Sequence, residues 1–253
     1  MIKVDKKDLS KIAFLFEESK YDTVMIRSVL EGYFGTAHVD SIENPTVARL
    51  DTGSFTMFAG DAESDEVLEL IKVNPVYIVT PETEEWMAVL RSEFKYNITD
   101  LNFTECISDD IAIKRLNEII DSLSEDYSIR KIDRELAKRL PDDIDNEYFF
   151  ENFNDIEDFM NRGVGYCVLH ADKIVSAATS TAACNTAIDV EIQTDLRFRE
   201  KGLGRIVGAA LVKHCINNHL TPHWLAANES SLRLAIKLGY VEGRRYTTFE
   251  IFD

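Results

Sequence analysis

The 253-residue sequence is short of cysteine, short of positive charge, and holds no long apolar run. Its four cysteines, Cys106, Cys167, Cys184 and Cys215, are scattered without a Cys-x-x-Cys pair. That argues against a zinc site and gives no disulfide pattern, so reduced, buried thiols are expected. Lys and Arg number 28 against 45 Asp and Glu, a formal net charge of −17. Nucleic-acid binding needs clustered cations to meet phosphates, so no nucleic-acid partner is expected. The same imbalance suits a cationic substrate such as a polyamine, an aminoglycoside or a lysine side chain, although acidity more often just keeps a protein in solution. No stretch approaches the ~20 apolar residues of a membrane-spanning helix, so no membrane partner is expected. The opening Met1-Ile2-Lys3-Val4-Asp5-Lys6-Lys7-Asp8 lacks the apolar core and small-residue cleavage site of a secretory signal. A cytoplasmic location is therefore expected, and the glycosylation patterns at Asn97-Ile98-Thr99 and Asn102-Phe103-Thr104 are discounted.

What is present reads as two domains, since 253 residues exceed the usual single-domain length. Residues 1–125 alternate helical and strand-like segments: helical patterns near Ser10–Ser19, Val24–Tyr33 and Glu63–Ile71, extended runs Thr46–Leu50, Ser54–Ala59 and Pro75–Thr80, and a helix reaching about Phe94. A further helix follows Ser108-Asp109-Asp110, and the boundary is placed after it, near 125. Residues 126–253 read as a strand Tyr127–Ile132, a helix Asp133–Leu140 stopped by Pro141, a helix Glu147–Arg162, and strands Gly165–His170, Lys173–Ser180 and Ile188–Thr194. A helix Gly202–Asn218, a strand Pro222–Ala227, a helix Ser230–Leu238 and a strand Arg244–Phe252 complete it. The order predicts an α/β (α+β) domain: a mixed sheet flanked by helices, preceded by an additional N-terminal α/β domain.

One junction carries chemistry. The strand Ile188-Asp189-Val190-Glu191-Ile192-Gln193-Thr194 feeds Arg199-Glu200-Lys201-Gly202-Leu203-Gly204-Arg205 at a helix start. First-turn N–H groups lack intrahelical partners and the helix dipole adds positive potential, so an anion such as a pyrophosphate can sit there. Gly202 and Gly204 remove side chains that would hold it away, and Arg199, Lys201 and Arg205 reverse the local charge of an acidic chain. His214, His219 and His223 cluster in sequence, but their spacing matches no ligand frame, and no metal is expected.

Arg199-x-x-Gly202-x-Gly204 resembles the pyrophosphate-binding pattern of the GNAT (Gcn5-related N-acetyltransferase) superfamily: Gln or Arg, two residues, Gly, one residue, then Gly or Ala. The block Trp224 to Asn228, Ser231, then Lys237-Leu238-Gly239-Tyr240 is similar to that superfamily's strand, Asn, Ser-containing helix and closing turn. Asp155–Met160, Gly163–Leu169 and Lys173–Ala178 resemble a two-domain bacterial branch with an extra N-terminal domain, whose first half has the look of a degenerate copy of the same fold.

The resemblance implies a mostly antiparallel mixed sheet and an acetyltransferase that moves the acetyl group of acetyl-CoA to a primary amine of a small-molecule acceptor. It implies that backbone groups of Ile192, Gln193 and Thr194 pair with the pantetheine arm of coenzyme A and polarise the thioester. The segment Arg199, Glu200, Lys201, Gly202, Leu203, Gly204 and Arg205 would hold the pyrophosphate, with Asn228 and Ser231 beside the arm. Glu191 is the first choice of general base, and Asp189 shares its face by strand alternation. Many relatives carry a Tyr general acid where this chain has Ala235; either the thiolate leaves without a dedicated acid, or Tyr240, Tyr246 or Tyr166 substitutes. The alternative is a catalytically silent acyl-CoA-binding sensor or assembly module. Acceptor identity stays open, and a homo-oligomer is compatible with everything above.

Overall fold

A computed structural model describes residues 1–144 and 148–252. Glu147, the expected start of a helix, lies outside the described residues. The chain divides into two compact units, Met1–Phe103 with Tyr246–Asp253, and Thr104–Arg245. That division differs from a boundary near 125 because Leu116 and Ile119 are buried in the second unit's core.

The chain begins with β1 (Ile2–Lys3), two 3-10 turns (Lys6–Lys11 and Ala13–Phe16), α1 (Thr23–Leu30), β2 (Thr36–Val39), β3 (Val47–Thr52) and β4 (Phe55–Gly60). It continues through α2 (Val67–Ile71), β5 (Ile78–Val79), α3 (Glu84–Glu93) and β6 (Ile98–Ile107), whose later residues belong to the second unit. There follow α4 (Ile113–Asp121), β7 (Ser128–Lys131), α5 (Arg134–Ile144), a 3-10 turn Tyr148–Phe150, and α6 (Ile156–Arg162). Then come β8 (Gly165–His170), β9 (Lys173–Ala183), β10 (Ala187–Thr194), α7 (Leu203–Asn217), β11 (Thr221–Ala226), α8 (Glu229–Leu238) and β12 (Val241–Ile251), whose last residues return to the first unit. Pro141 does not stop α5, which contains it and runs to Ile144. The helix expected to reach Arg162 starts only at Ile156, where Asp155 caps it by accepting from Asp158 N (2.8 Å). Among the described residues no helix is long and apolar enough to cross a membrane.

Each unit has one strand pattern. In the second, β7, β8, β9 and β10 pair antiparallel in succession, β11 lies parallel to β10, and β6 closes antiparallel against β11. In the first, β1, β2, β3 and β4 pair antiparallel, β5 lies parallel to β4, and β12 closes against β5. The architecture is thus a mostly antiparallel mixed sheet, repeated, with the closing strands exchanged. β6 follows the first repeat in sequence but completes the second unit, and β12 does the reverse. Parallel neighbours require a crossover connection, supplied by α2 in one unit and α7 in the other.

The second unit's crossover is its central core element. Leu203, Ile206, Val207, Ala209, Leu211, Val212 and Cys215 of α7 are buried, the pattern of a helix enclosed on most sides. Gly208 is required by packing: a Cβ there would lie 2.8 Å from Ile192 Cδ1 and 2.9 Å from Leu238 Cδ1. Glycine lets α7 settle between β10 and α8. All four cysteines are buried and unlinked, and burial pushes the Cys167 and Cys215 thiols up to about 12.

In the first unit a fully buried guanidinium organises the end of the crossover. Arg49 Nη1 donates to Ile71 O (2.7 Å) and Asn74 O (3.0 Å), Nη2 to Pro75 O (2.8 Å), and Nε to Asp51 Oδ1 (2.7 Å). Carbonyls at and just past the C-terminal end of α2 thereby gain donors they would otherwise lack. Arg49→Met should strip those carbonyls and remove the cation beside Asp51, destabilising the protein by about 3–5 kcal/mol. The check is the midpoint of urea unfolding; an unchanged midpoint would contradict it.

Candidate functional site

β10 and β11 pair for three residues, Ala187 with Thr221, Ile188 with Pro222 and Asp189 with His223, and then part. β10 continues to Thr194 bonded to β9 on its other side, while β11 turns its far edge to β6. A wedge opens between them, and the edge of β10 from Val190 to Thr194 faces into it. The wedge runs into a cleft of about 1060 Å³ that reaches the start of α7 and the near face of α8. That volume lies at the upper end of what a ligand-sized pocket needs.

The far end of the cleft combines open backbone donors with positive charge. Gly202 caps α7 at a left-handed φ of 80°, with no side-chain cap, and a Cβ there would meet nothing within 4 Å. Glycine both adopts the turn and leaves its approach open. The N–H groups of Arg205 and Ile206 return to Gly202 O, so those of Leu203 and Gly204 remain for an outside acceptor. A Cβ at Gly204 would lie 3.4 Å from Thr194 Oγ1, in ordinary contact. Arg199, Lys201 and Arg205 line this end. Arg199 Nε donates to Thr194 O (3.3 Å), Lys201 Nζ rests 4.8 Å from the Phe198 ring centroid, and Arg205 Nε is buried without a hydrogen-bond partner among the described residues. A buried, unsatisfied guanidinium N–H beside an uncapped helix start fits a phosphate-bearing ligand.

Across the strand from α7's side chains, Glu191 and Gln193 share a face. Gln193 Nε2 donates to Glu191 Oε1 (3.0 Å), and both line the cleft. Burial raises the Glu191 pKa above the usual carboxylate value, the Gln193 hydrogen bond opposes that, and the nearby charge of Glu151 adds to it. Asp189 stands apart: it is 7% exposed, does not line the cleft, and His223 Nδ1 donates to its Oδ1 (2.5 Å). The pair ties β10 to β11 at the last point where they meet. A bulge on β9, where Thr181 is the extra residue between the partners of Asp189 and Val190, coincides with it.

Asn228 and Ser231 reach the cleft, each with one oxygen already engaged. Asn228 Oδ1 accepts from Ser231 N (2.9 Å) and caps α8, and Ser231 Oγ accepts from Trp224 Nε1 (3.0 Å). The substitutes for an absent tyrosine at Ala235 are elsewhere: Tyr240 OH is buried and donates to Pro222 O (2.9 Å), Tyr166 OH lies 3.3 Å from His214 Nδ1, and Tyr246 belongs to the first unit. Ala235 itself is fully buried. Among the described residues no three His, Cys, Asp or Glu side chains are grouped to hold a metal. Sequence reasoning overlooked Arg233 and Lys237, which line the cleft from α8. Their four-residue spacing on one helix of a chain poor in cations was the available signal.

Residues 13–249 match the GNAT acetyltransferase family. The chain is 24% identical to the uncharacterized N-acetyltransferase YdfB of Bacillus subtilis (strain 168), over 96% of each chain. It superimposes with a TM-score of 0.84 and 26% identity on a GCN5-related N-acetyltransferase-like protein from Streptococcus suis, covering 97% of this chain and 99% of that one. A tandem GNAT protein from the clavulanic acid biosynthesis pathway shares the fold, with a TM-score of 0.62 at 11% identity over 98% and 96% of the two chains.

The raised Glu191 pKa makes a stability prediction. Because the folded state holds that proton more tightly than the unfolded chain, its favourable contribution is complete below the unfolded pKa and is lost as pH rises through the folded one. Glu191→Gln should therefore melt higher than wild type at pH 8, with the difference vanishing toward pH 4. A gap that widens on acidification would contradict the assignment.

Proposed function

Because the chain belongs to the GNAT acetyltransferase family, we propose that it transfers the acetyl group of acetyl-CoA to the primary amine of a small-molecule acceptor, in the cleft of the second unit. The observation that carries this reading is the meeting, in one cleft, of a parted parallel strand pair and an uncapped, glycine-opened helix start ringed by cations. Bound there, acetyl-CoA would supply an acetyl group activated as a thioester.

The chain's own groups have distinct tasks. The N–H groups of Leu203 and Gly204, with Arg199, Lys201 and Arg205, hold the pyrophosphate, and Glu200 completes the turn at a φ of 63°. The free edge of Ile192, Gln193 and Thr194 accepts the pantetheine arm as an added strand would be accepted. Asn228 keeps its Nδ2 donors and Ser231 its hydroxyl hydrogen for the same arm, since the oxygens are already engaged. Glu191, held by Gln193, takes the proton from the attacking amine. Burial serves this task by lifting a carboxylate's proton affinity toward that of its substrate. Asp189 supports the wedge through His223.

A second reading, a silent acyl-CoA-binding sensor, draws on Ala235, which leaves no tyrosine lining the cleft among the described residues. Two measurements separate the readings. Acetyl-CoA should raise the melting midpoint, and Gly204→Glu, which puts a carboxylate in the anion's place, should abolish the rise. Free-thiol release should then depend on added amine, over a panel of polyamines, aminoglycosides and lysine derivatives. Glu191→Gln should keep the thermal shift and lower amine-dependent release about 10²-fold or more. A shift with no amine-dependent thiol would favour the sensor; no shift would overturn both.

A further inference from the structure

We propose that the chain has a single acyl-donor site, because Trp86 and an acidic turn close the counterpart of that site in the first unit. The inference rests on the reading of the second unit's cleft given above. The repeated strand order puts β4 and β5 in correspondence with β10 and β11, α2 with α7, and α3 with α8. The geometry needed for a wedge is present in both. β4 pairs with β5 only at Phe55 with Ile78 and Thr56 with Val79, and then runs on to Gly60 bonded to β3 on its other side.

What differs is the residue in the space. Asn228 caps α8 by accepting from Ser231 N, and Thr83 caps α3 by accepting from Trp86 N (3.3 Å). Ser231 and Trp86 thus hold the same place, three residues beyond the cap. Ser231 lines an open cleft. Trp86 is 1% exposed, stacks on Phe58 with ring centroids 5.1 Å apart, and donates from Nε1 to Gly60 O (3.1 Å) at the end of β4. The indole fills the volume and occupies a strand-edge acceptor that a ligand's arm would need. Val67, Leu70, Val79 and Leu90 complete an apolar cluster around it.

Charge opposes a second site as well. The connection from β4 to α2, Asp61 to Glu66, holds four carboxylates, Asp61, Glu63, Asp65 and Glu66, and no Lys or Arg. The corresponding connection in the second unit, Asp195 to Gly202, holds Arg197, Arg199 and Lys201 against Asp195 and Glu200. A pyrophosphate at the first connection would meet like charge at short range. With only five residues, α2 offers little opposing dipole, and no glycine opens its first turn.

The test uses coenzyme A and the whole chain. Isothermal titration should give one equivalent per chain, and the surface double variant Arg199→Glu/Lys201→Glu should lose that heat while keeping its near-ultraviolet circular dichroism. The chain's two tryptophans, Trp86 and Trp224, divide between the two places. Trp86→Phe should keep a coenzyme A-dependent change in emission, from Trp224, and Trp224→Phe should show none. Two equivalents, or one equivalent persisting in the double variant, would overturn the single-site inference alone. No binding by the wild-type chain would overturn the reading of the second unit's cleft on which it rests.

Discussion

Two parallel strands that pair for three residues and then separate leave backbone donors and acceptors facing a gap, and the site depends on how that gap is kept open and kept wet or occupied. β10 and β11 are tied at their last shared pair by His223 and Asp189. Beyond that point α7 sets the opening from behind, and Gly208 determines how closely it can approach Ile192. The exposed edge of β10, the glycine-opened start of α7 and the buried Arg205 Nε are three consequences of one arrangement. Each leaves polar groups that water or a ligand must satisfy.

The chain contains this arrangement twice and uses the space differently. In the first unit an indole answers the strand edge and carboxylates surround the turn; in the second a serine stands back and cations gather. The first unit thereby gains an apolar core around Trp86 and Phe249, with Arg49 closing the end of its short crossover. The second gives up that filling and keeps a cleft. Because β6 runs from the first unit into the second and β12 runs back, the first unit is assembled from two stretches of chain, Met1–Phe103 and Tyr246–Asp253, around the continuous second, Thr104–Arg245.

The glycine turn before α7 and the cations around it were legible in the sequence because their requirements are local. A positive φ and an open approach demand glycine at Gly202, and cations stand out in a chain with a net charge of −17. The strands β8, β9 and β10 were equally plain, the first two being largely apolar and the third alternating, and each pairs with a near neighbour. β6 was not: the polar pairs Thr99-Asp100 and Thr104-Glu105 interrupt its alternation, and its place beside β11 is set by a partner more than a hundred residues away. The division at Phe103 was hidden for the same reason. Alternation put Asp189 on the face of Glu191, and the structure separates their surroundings: Asp189 meets His223, and Glu191 lines the cleft. In the structure Asn228 lines the cleft and also caps α8.

In the proposed function, the parted edge of β10 and the start of α7 receive acetyl-CoA together. Backbone hydrogen exchange of the intact protein, with and without saturating acetyl-CoA, tests it most directly. Slowed exchange confined to peptides covering Val190–Thr194 and Gly202–Ile206, with the Asp61–Val67 connection unchanged, is the predicted result. Unchanged exchange at those two segments under saturating ligand would contradict the account.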